Sequence, residues 1–139
     1  MSGLTLEAAR RLLDRAIARA SQEFKRPVCV AVCDAQGFLL AFGRMDGAPV
    51  RSILISQGKA YSAARMGVST PSFLERLKRE GLEIAMFADP LLTALPGGSL
   101  LKDASGVTLG AIGVSGLAPT EDQAITDGIA DFVLAGSKP

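Results

Sequence analysis

Apolar residues recur at helical spacing over residues 5–24, at Leu6, Ala9, Leu12, Leu13, Ala16, Ile17, Ala20 and Phe24, with arginine and aspartate opposite. That stripe predicts an amphipathic helix, and Pro27 stops it. The pattern then changes. "VCVAVCD", the turn "AQG" and "FLLAFGR" read as a hairpin over residues 28–44. Its first strand is apolar on both faces, as a central strand covered on both sides would be. "MDGAP" is a loop by its Asp-Gly and its proline.

Helical spacing returns over residues 50–66, with Val50, Ile53, Leu54, Ala60, Tyr61 and Ala64 toward one side. Ser69-Thr70-Pro71 predicts the start of another helix and Gly81 its end. Residues 82–93 read as an irregular segment with room for one helical turn. "SLLKD", "ASG" and "VTLGAIGVSG" make a second hairpin. Thr120 and Gln123 fit a capping box for a last helix with Ala124, Ile125, Ile129, Phe132 and Val133 inward. Antiparallel hairpins with helices segregated around one sheet give the α+β class, expected as a single domain over residues 1–139.

Composition narrows the functional classes. The 48% apolar content allows a packed core, and the net charge of +1 arises from 15 basic and 14 acidic residues interspersed along the chain. No electrostatic footprint for nucleic acid or an anionic membrane appears. No apolar run approaches the ~20 residues that span a bilayer. The N-terminal stretch carries charges inside its apolar pattern, so it reads as a helix rather than a signal peptide, and the expected location is cytoplasmic. Cys29 and Cys33 lie about 13 Å apart along a strand, beyond disulfide reach, and are expected as buried core residues. The chain has no histidine. The commonest general base, metal ligand and haem ligand are therefore all missing.

Two glycine clusters stand out. Pro96-Gly97-Gly98-Ser99 precedes a strand, where glycines permit either a simple turn or an anion-binding nest of backbone N–H groups. Gly110, Gly113 and Gly116 are spaced so that Gly113 faces one side of a strand and the other two the opposite side. Such glycines let a helix pack close or a strand bend. Ser52, Ser56 and Lys59 share a helix face, where a serine–lysine pair could act as nucleophile and base, or Lys59 could simply be a solvated lysine. Arg44, Asp46 and Arg51 flank the preceding loop as an ion-pair cluster or a site.

Taken in order, "PVCVAVCDAQGFLLAFGRMDGAP", "SILISQGKAYSAA", "LPGGSLL" and "GVTLGAIGVSG" resemble the GlcG-like family. That family includes the carboxy-terminal domain of PduO-type proteins and extracellular haem-binding sensor proteins. The resemblance covers nearly the whole chain. It implies a profilin-like sandwich, with an antiparallel sheet of about five strands flanked by helices, and homo-oligomers built on dimers. It also implies haem or a related tetrapyrrole such as a corrinoid as a ligand of some members. The family's lysine-alanine element falls on Lys59-Ala60, its proline-glycine-glycine element on Pro96, Gly97 and Gly98, and its strand-loop block on Arg44, Asp46 and Gly47. Without histidine, iron would need cysteine, methionine, tyrosine or an oxygen ligand.

These readings converge on a small-molecule-binding accessory or sensor domain. Its pocket is expected between the Lys59 helix and the turn of Gly97, Gly98 and Ser99, with Arg44 and Asp46 nearby. A small organic acid or a tetrapyrrole with propionates would place its carboxylates on Lys59, Arg44 and backbone N–H groups. The alternative is a small enzyme acting on a carbonyl or hydroxy acid, with Lys59 as base or electrophile. A third class is a purely structural subunit.

Overall fold

The computed structural model describes residues 3–136. Helix α1 (Leu6–Arg19) opens on Thr5, whose side chain accepts from the Ala8 N–H at 3.1 Å. It runs on through one π-helical segment, Ala20–Phe24, and ends at Lys25, which takes the left-handed conformation with φ 54°. Strand β1 (Cys29–Asp34) follows, then β2 (Leu39–Arg44). Asp34 shapes the turn between them by accepting from the N–H groups of Gln36 and Phe38, each at 3.0 Å. Helices α2 (Ser52–Met66) and α3 (Thr70–Glu80) come next, the latter with Ser69 as its N-cap and Gly81 at its C-terminus, as the sequence predicts. Strands β3 (Gly98–Lys102) and β4 (Thr108–Ser115) form the second hairpin, and α4 (Pro119–Leu134) is the last helix.

The four strands form one antiparallel sheet in the order β2-β1-β4-β3. The two central strands of the sheet pair directly, Val30 opposite Val114 and Ala31 opposite Gly113. The α+β sandwich is thus the expected one, with four strands in place of about five. Residues 82–93 supply no extra strand because they fold as a 3-10 turn, Ile84–Phe87, followed by Ala88 in the left-handed conformation (φ 56°) and by Pro90. Phe87 instead sets its ring edge-on to Phe73, with centroids 5.3 Å apart.

Alternation along the central strands divides the core. Val30, Val32, Ile112 and Val114 point to the face covered by α1 and α4, where they meet Leu12, Ala16, Ile125, Ile129 and Val133. Ala31, Cys33 and Ala111 point to the other face, against Ala60 and Ala63 of α2. Side chains on this second face are small, and α2 lies close. A Cβ on Gly113 would overlap the Ser56 carbonyl oxygen and come within 2.6 Å of the Ala60 nitrogen.

This close seat turns α2 away from the expected orientation, although Ala60 is inward as expected. Its buried residues are Ser52, Ser56, Lys59, Ala60, Ser62 and Ala63, whereas Val50, just before it, and Leu54 are 73% and 76% exposed. Small polar side chains fit the narrow space that leucine would not. Two details of α4 also differ from the prediction. The helix starts at Pro119, with Glu121 accepting from the Ala118 N–H at 3.1 Å, so Thr120 is not its cap. Ala124 is exposed, while Ile125, Ile129 and Val133 are buried. No helix among the described residues is long and apolar enough to cross a membrane.

Candidate functional site

Lys59 is the largest fully buried side chain of the described residues, 2% exposed. Its stem leaves α2, and its amine donates to the Val114 carbonyl at 2.8 Å and to Asp122 Oδ2 at 3.1 Å. The ion pair therefore ties a helix on one face of the sheet to a helix on the other. Asp122 spends its second oxygen on the Leu117 N–H at 3.0 Å. Burial pulls the Lys59 pKa below its ordinary value and pushes that of Asp122 above its own, and the charge of each partner opposes that pull.

The Gly97–Gly98 turn meets this pair as the sequence suggests. Gly97 has φ +125°, and a Cβ there would lie 2.6 Å from Lys59 Nζ. The turn's N–H groups are not open to a ligand, however. Gln123 Oε1 accepts from Gly97 N at 2.5 Å and from Gly98 N at 3.1 Å, and Thr70 Oγ1 also accepts from Gly98 N at 3.0 Å. Gln123, which reads locally as part of a cap, is thus the acceptor that fills the nest. Ser99 joins the same network, its hydroxyl donating to Asp127 Oδ1 at 2.8 Å and lying 2.8 Å from the Thr126 hydroxyl. Every buried side-chain polar atom among the described residues has a partner.

Other expected residues lie outside this cluster. Arg44 and Asp46 are exposed, and among the described residues neither forms an ion pair with the other or with Arg51. Ser52 and Ser56 do not approach the Lys59 amine: Ser52 accepts from Ser115 Oγ at 3.0 Å and Ser56 donates to the Ile53 carbonyl. Nucleophile–base chemistry has no geometry here.

A cleft of about 370 Å³ opens on another side of α2. The β1–β2 hairpin contributes Cys33, Gly37 and Leu39, α2 contributes Leu54, Gln57, Gly58 and Tyr61, and the segment after the 3-10 turn contributes Pro90 and Leu91. That segment is pinned to α2 twice. Tyr61 Oη donates to Asp89 Oδ2 at 2.5 Å, and Thr93 N donates to Ser62 Oγ at 2.8 Å. Gly58 lets the segment lie against the helix, since a Cβ would come within 3.4 Å of the Leu91 carbonyl oxygen. Tyr61 reads from the sequence as a core residue because it shares the helical stripe, yet it forms a wall of this cleft. The sign that could have marked it was Asp89-Pro90, a turn signal inside an otherwise apolar segment.

The cleft is apolar for most of its wall, and its candidate iron donors are weak. The Cys33 thiol is pushed up to about 12, chiefly by burial, so it is protonated at neutral pH. The Tyr61 hydroxyl is committed to Asp89, and that bond raises its pKa and keeps the phenol protonated. No group of three or more His, Cys, Asp or Glu side chains able to hold a metal ion occurs among the described residues.

Known proteins share this architecture. The chain is 40% identical over 88 residues to protein GlcG of Escherichia coli K12, a match that covers 63% of this chain and 63% of GlcG, so it spans less than two thirds of that relative. It is 30% identical over 125 residues to a 15.0 kDa uncharacterised protein from the dhaT-dhaS intergenic region of Citrobacter freundii, covering 89% of this chain and 87% of that one. Among solved structures, a double mutant of Streptomyces reticuli HbpS superposes with a TM-score of 0.83 at 28% identity, covering 96% of this chain and 88% of HbpS. The PduOC:haem complex superposes with a TM-score of 0.81 at 25% identity, covering 93% and 94% of the two chains. With a family model described as "haem degrading protein HbpS-like" matching residues 4–130, the chain belongs to the HbpS-like family.

Proposed function

We propose that this chain is a small-molecule-binding domain that holds a flat, largely apolar ligand, a tetrapyrrole by class, in the cleft between the β1–β2 turn and α2. The observation that carries the reading is the cleft of about 370 Å³ with Leu39, Leu54, Tyr61 and Leu91 around it. Leu54 and Leu91 are 76% and 61% exposed, so a ligand that covered them would remove apolar surface from water at about 25 cal/mol per Å². Haem is bound by a relative, PduOC, and supports the ligand class. The residues present do not fit an axial iron ligand: histidine is absent and the Cys33 thiol is protonated. Affinity then comes from the faces of the ring. Haemin and iron-free protoporphyrin IX should bind within about threefold of each other in an absorbance titration, since no iron bond separates them. Leu54→Glu, at an exposed position, should weaken both by roughly tenfold without unfolding the chain. Binding of haemin alone, or indifference to Leu54→Glu, would refute this reading.

In the same reading Lys59, Gly97, Gly98 and Ser99 form the frame that sets α2 against the sheet. An enzyme with Lys59 as base or electrophile would need that amine to reach a substrate, and its 2% exposure leaves it facing protein. A homo-oligomer belongs to the proposal. A groove of about 550 Å³ runs beside α3, with Leu74, Leu77, Leu82, Ile84, Leu92 and Leu95 in its wall. A second copy covering it would bury much of the exposed apolar surface of residues 73–95. Sedimentation at micromolar concentration should show at least a dimer, and a monomer would contradict this. The proposal places the chain in the cytoplasm, where Cys29 and Cys33 would remain the free thiols they are here.

A further inference from the structure

We propose that Arg65 is the carboxylate receptor of this cleft, so that its ligand must carry an acidic group at the end nearest Gly37. The inference rests on the cleft reading above and adds the chemistry that orients the ligand.

Arg65 is held in place before any ligand arrives. Its Nε donates to the Gln36 carbonyl in the β1–β2 turn at 2.5 Å. Its guanidinium carbon lies 4.8 Å from the centre of the Tyr61 ring and 5.8 Å from that of Phe38. Gly37 makes room for it, since a Cβ there would fall 3.3 Å from Arg65 Nε and 3.0 Å from the Tyr61 ring. Gly37 and Tyr61 both line the cleft, and the guanidinium packs against both, just outside that end of the lining. A charged fork fixed by an aromatic stack and a backbone carbonyl loses little freedom when it binds.

The fork is also unsatisfied. Among the described residues Arg65 has no ion pair within 4.0 Å, and neither Nη1 nor Nη2 makes a hydrogen bond. Arg19, Arg26, Arg76 and Arg79 each sit beside a glutamate instead. The acid that Arg65 feels is Asp89, which accepts from Tyr61 at Oδ2 and from the Leu91 N–H at Oδ1 at 3.0 Å and forms no ion pair with Arg65 within 4.0 Å. Two parallel N–H donors on a planar cation match one carboxylate in the bidentate manner. Phe38, 63% exposed next to the guanidinium, gives that carboxylate an apolar flank. Ligands with an apolar plane and an acidic edge fit both features.

Titration with protoporphyrin IX and with its dimethyl ester tests this, because the two differ only in their carboxylates. The unaltered chain should bind the free acid roughly tenfold more tightly than the ester. Arg65→Gln should abolish that preference while leaving ester affinity unchanged, and Arg65→Lys should keep part of it. Thermal unfolding of each variant should show an unchanged midpoint, since the substitution is exposed. Equal affinity for acid and ester, or a preference that survives Arg65→Gln, would overturn the role of Arg65 and leave the cleft standing. Failure of both compounds to bind would overturn the cleft reading and this inference with it.

Discussion

Asp122→Ala is expected to destabilise the protein by about 3–5 kcal/mol in urea unfolding, because it strands the Lys59 ammonium in the interior. Lys59 and Asp122 are each 2% exposed, so water cannot replace the missing partner. The Leu117 N–H loses its acceptor in the same step. Lys59→Met should cost a comparable amount, since it leaves a carboxylate buried without its cation. The double variant Lys59→Met with Asp122→Leu should recover part of the loss, because neither charge then remains to be desolvated. A cost below about 1 kcal/mol for Asp122→Ala would mean that the pair is solvated, as surface pairs are.

Gly113→Ala is the second large effect. The added methyl would overlap the Ser56 carbonyl oxygen and lie 2.6 Å from the Ala60 nitrogen and 3.0 Å from Lys59 Cβ. Two of those three atoms are helix backbone, so no rotamer change relieves the clash. The helix must move off the sheet, which pulls Lys59 from Asp122 and Val114. We expect a loss of at least about 3 kcal/mol, beyond the usual range for overpacking because backbone must shift. Gly3→Ala, where nothing lies within 4 Å, serves as the control and should change stability by less than about 0.5 kcal/mol. Equal stability of the two variants would refute the close seat of α2.

The helices and both hairpins were legible because their information is local. The apolar stripe of α1, the Ser69-to-Gly81 frame of α3 and the alternation of the central strands all follow from periods of 3.6 and 2. The close-packing role of Gly113 was legible too, from a glycine on an otherwise apolar strand. The orientation of α2 was not. Its buried face consists of serine, alanine and one lysine, and hydrophobic patterning assigns the serines and the lysine to solvent. What makes them interior is the space left by Gly98 and Gly113, which lie elsewhere in the chain.

The proximity of Lys59 to the Gly97–Gly98 turn could be anticipated from the family blocks. Its partner could not, because Asp122 lies 63 positions away and reads as one acid of a helix's first turn. Gln123 misled in the same way. A local capping pattern explained it, although its side chain in fact satisfies the turn. The cleft was hidden for a different reason: Tyr61 and Arg65 are neighbours within α2, but Asp89 joins them only because the irregular segment after the 3-10 turn folds back on that helix.

The crystal structure of the chain grown with protoporphyrin IX tests most directly whether the ligand sits against Tyr61 and not beside Lys59. The macrocycle should lie between Leu39, Leu54 and Leu91, with a propionate at Arg65 and the bond between Lys59 and Asp122 intact. A macrocycle or its propionate against Lys59 and Gly97, with Asp122 displaced, would contradict it.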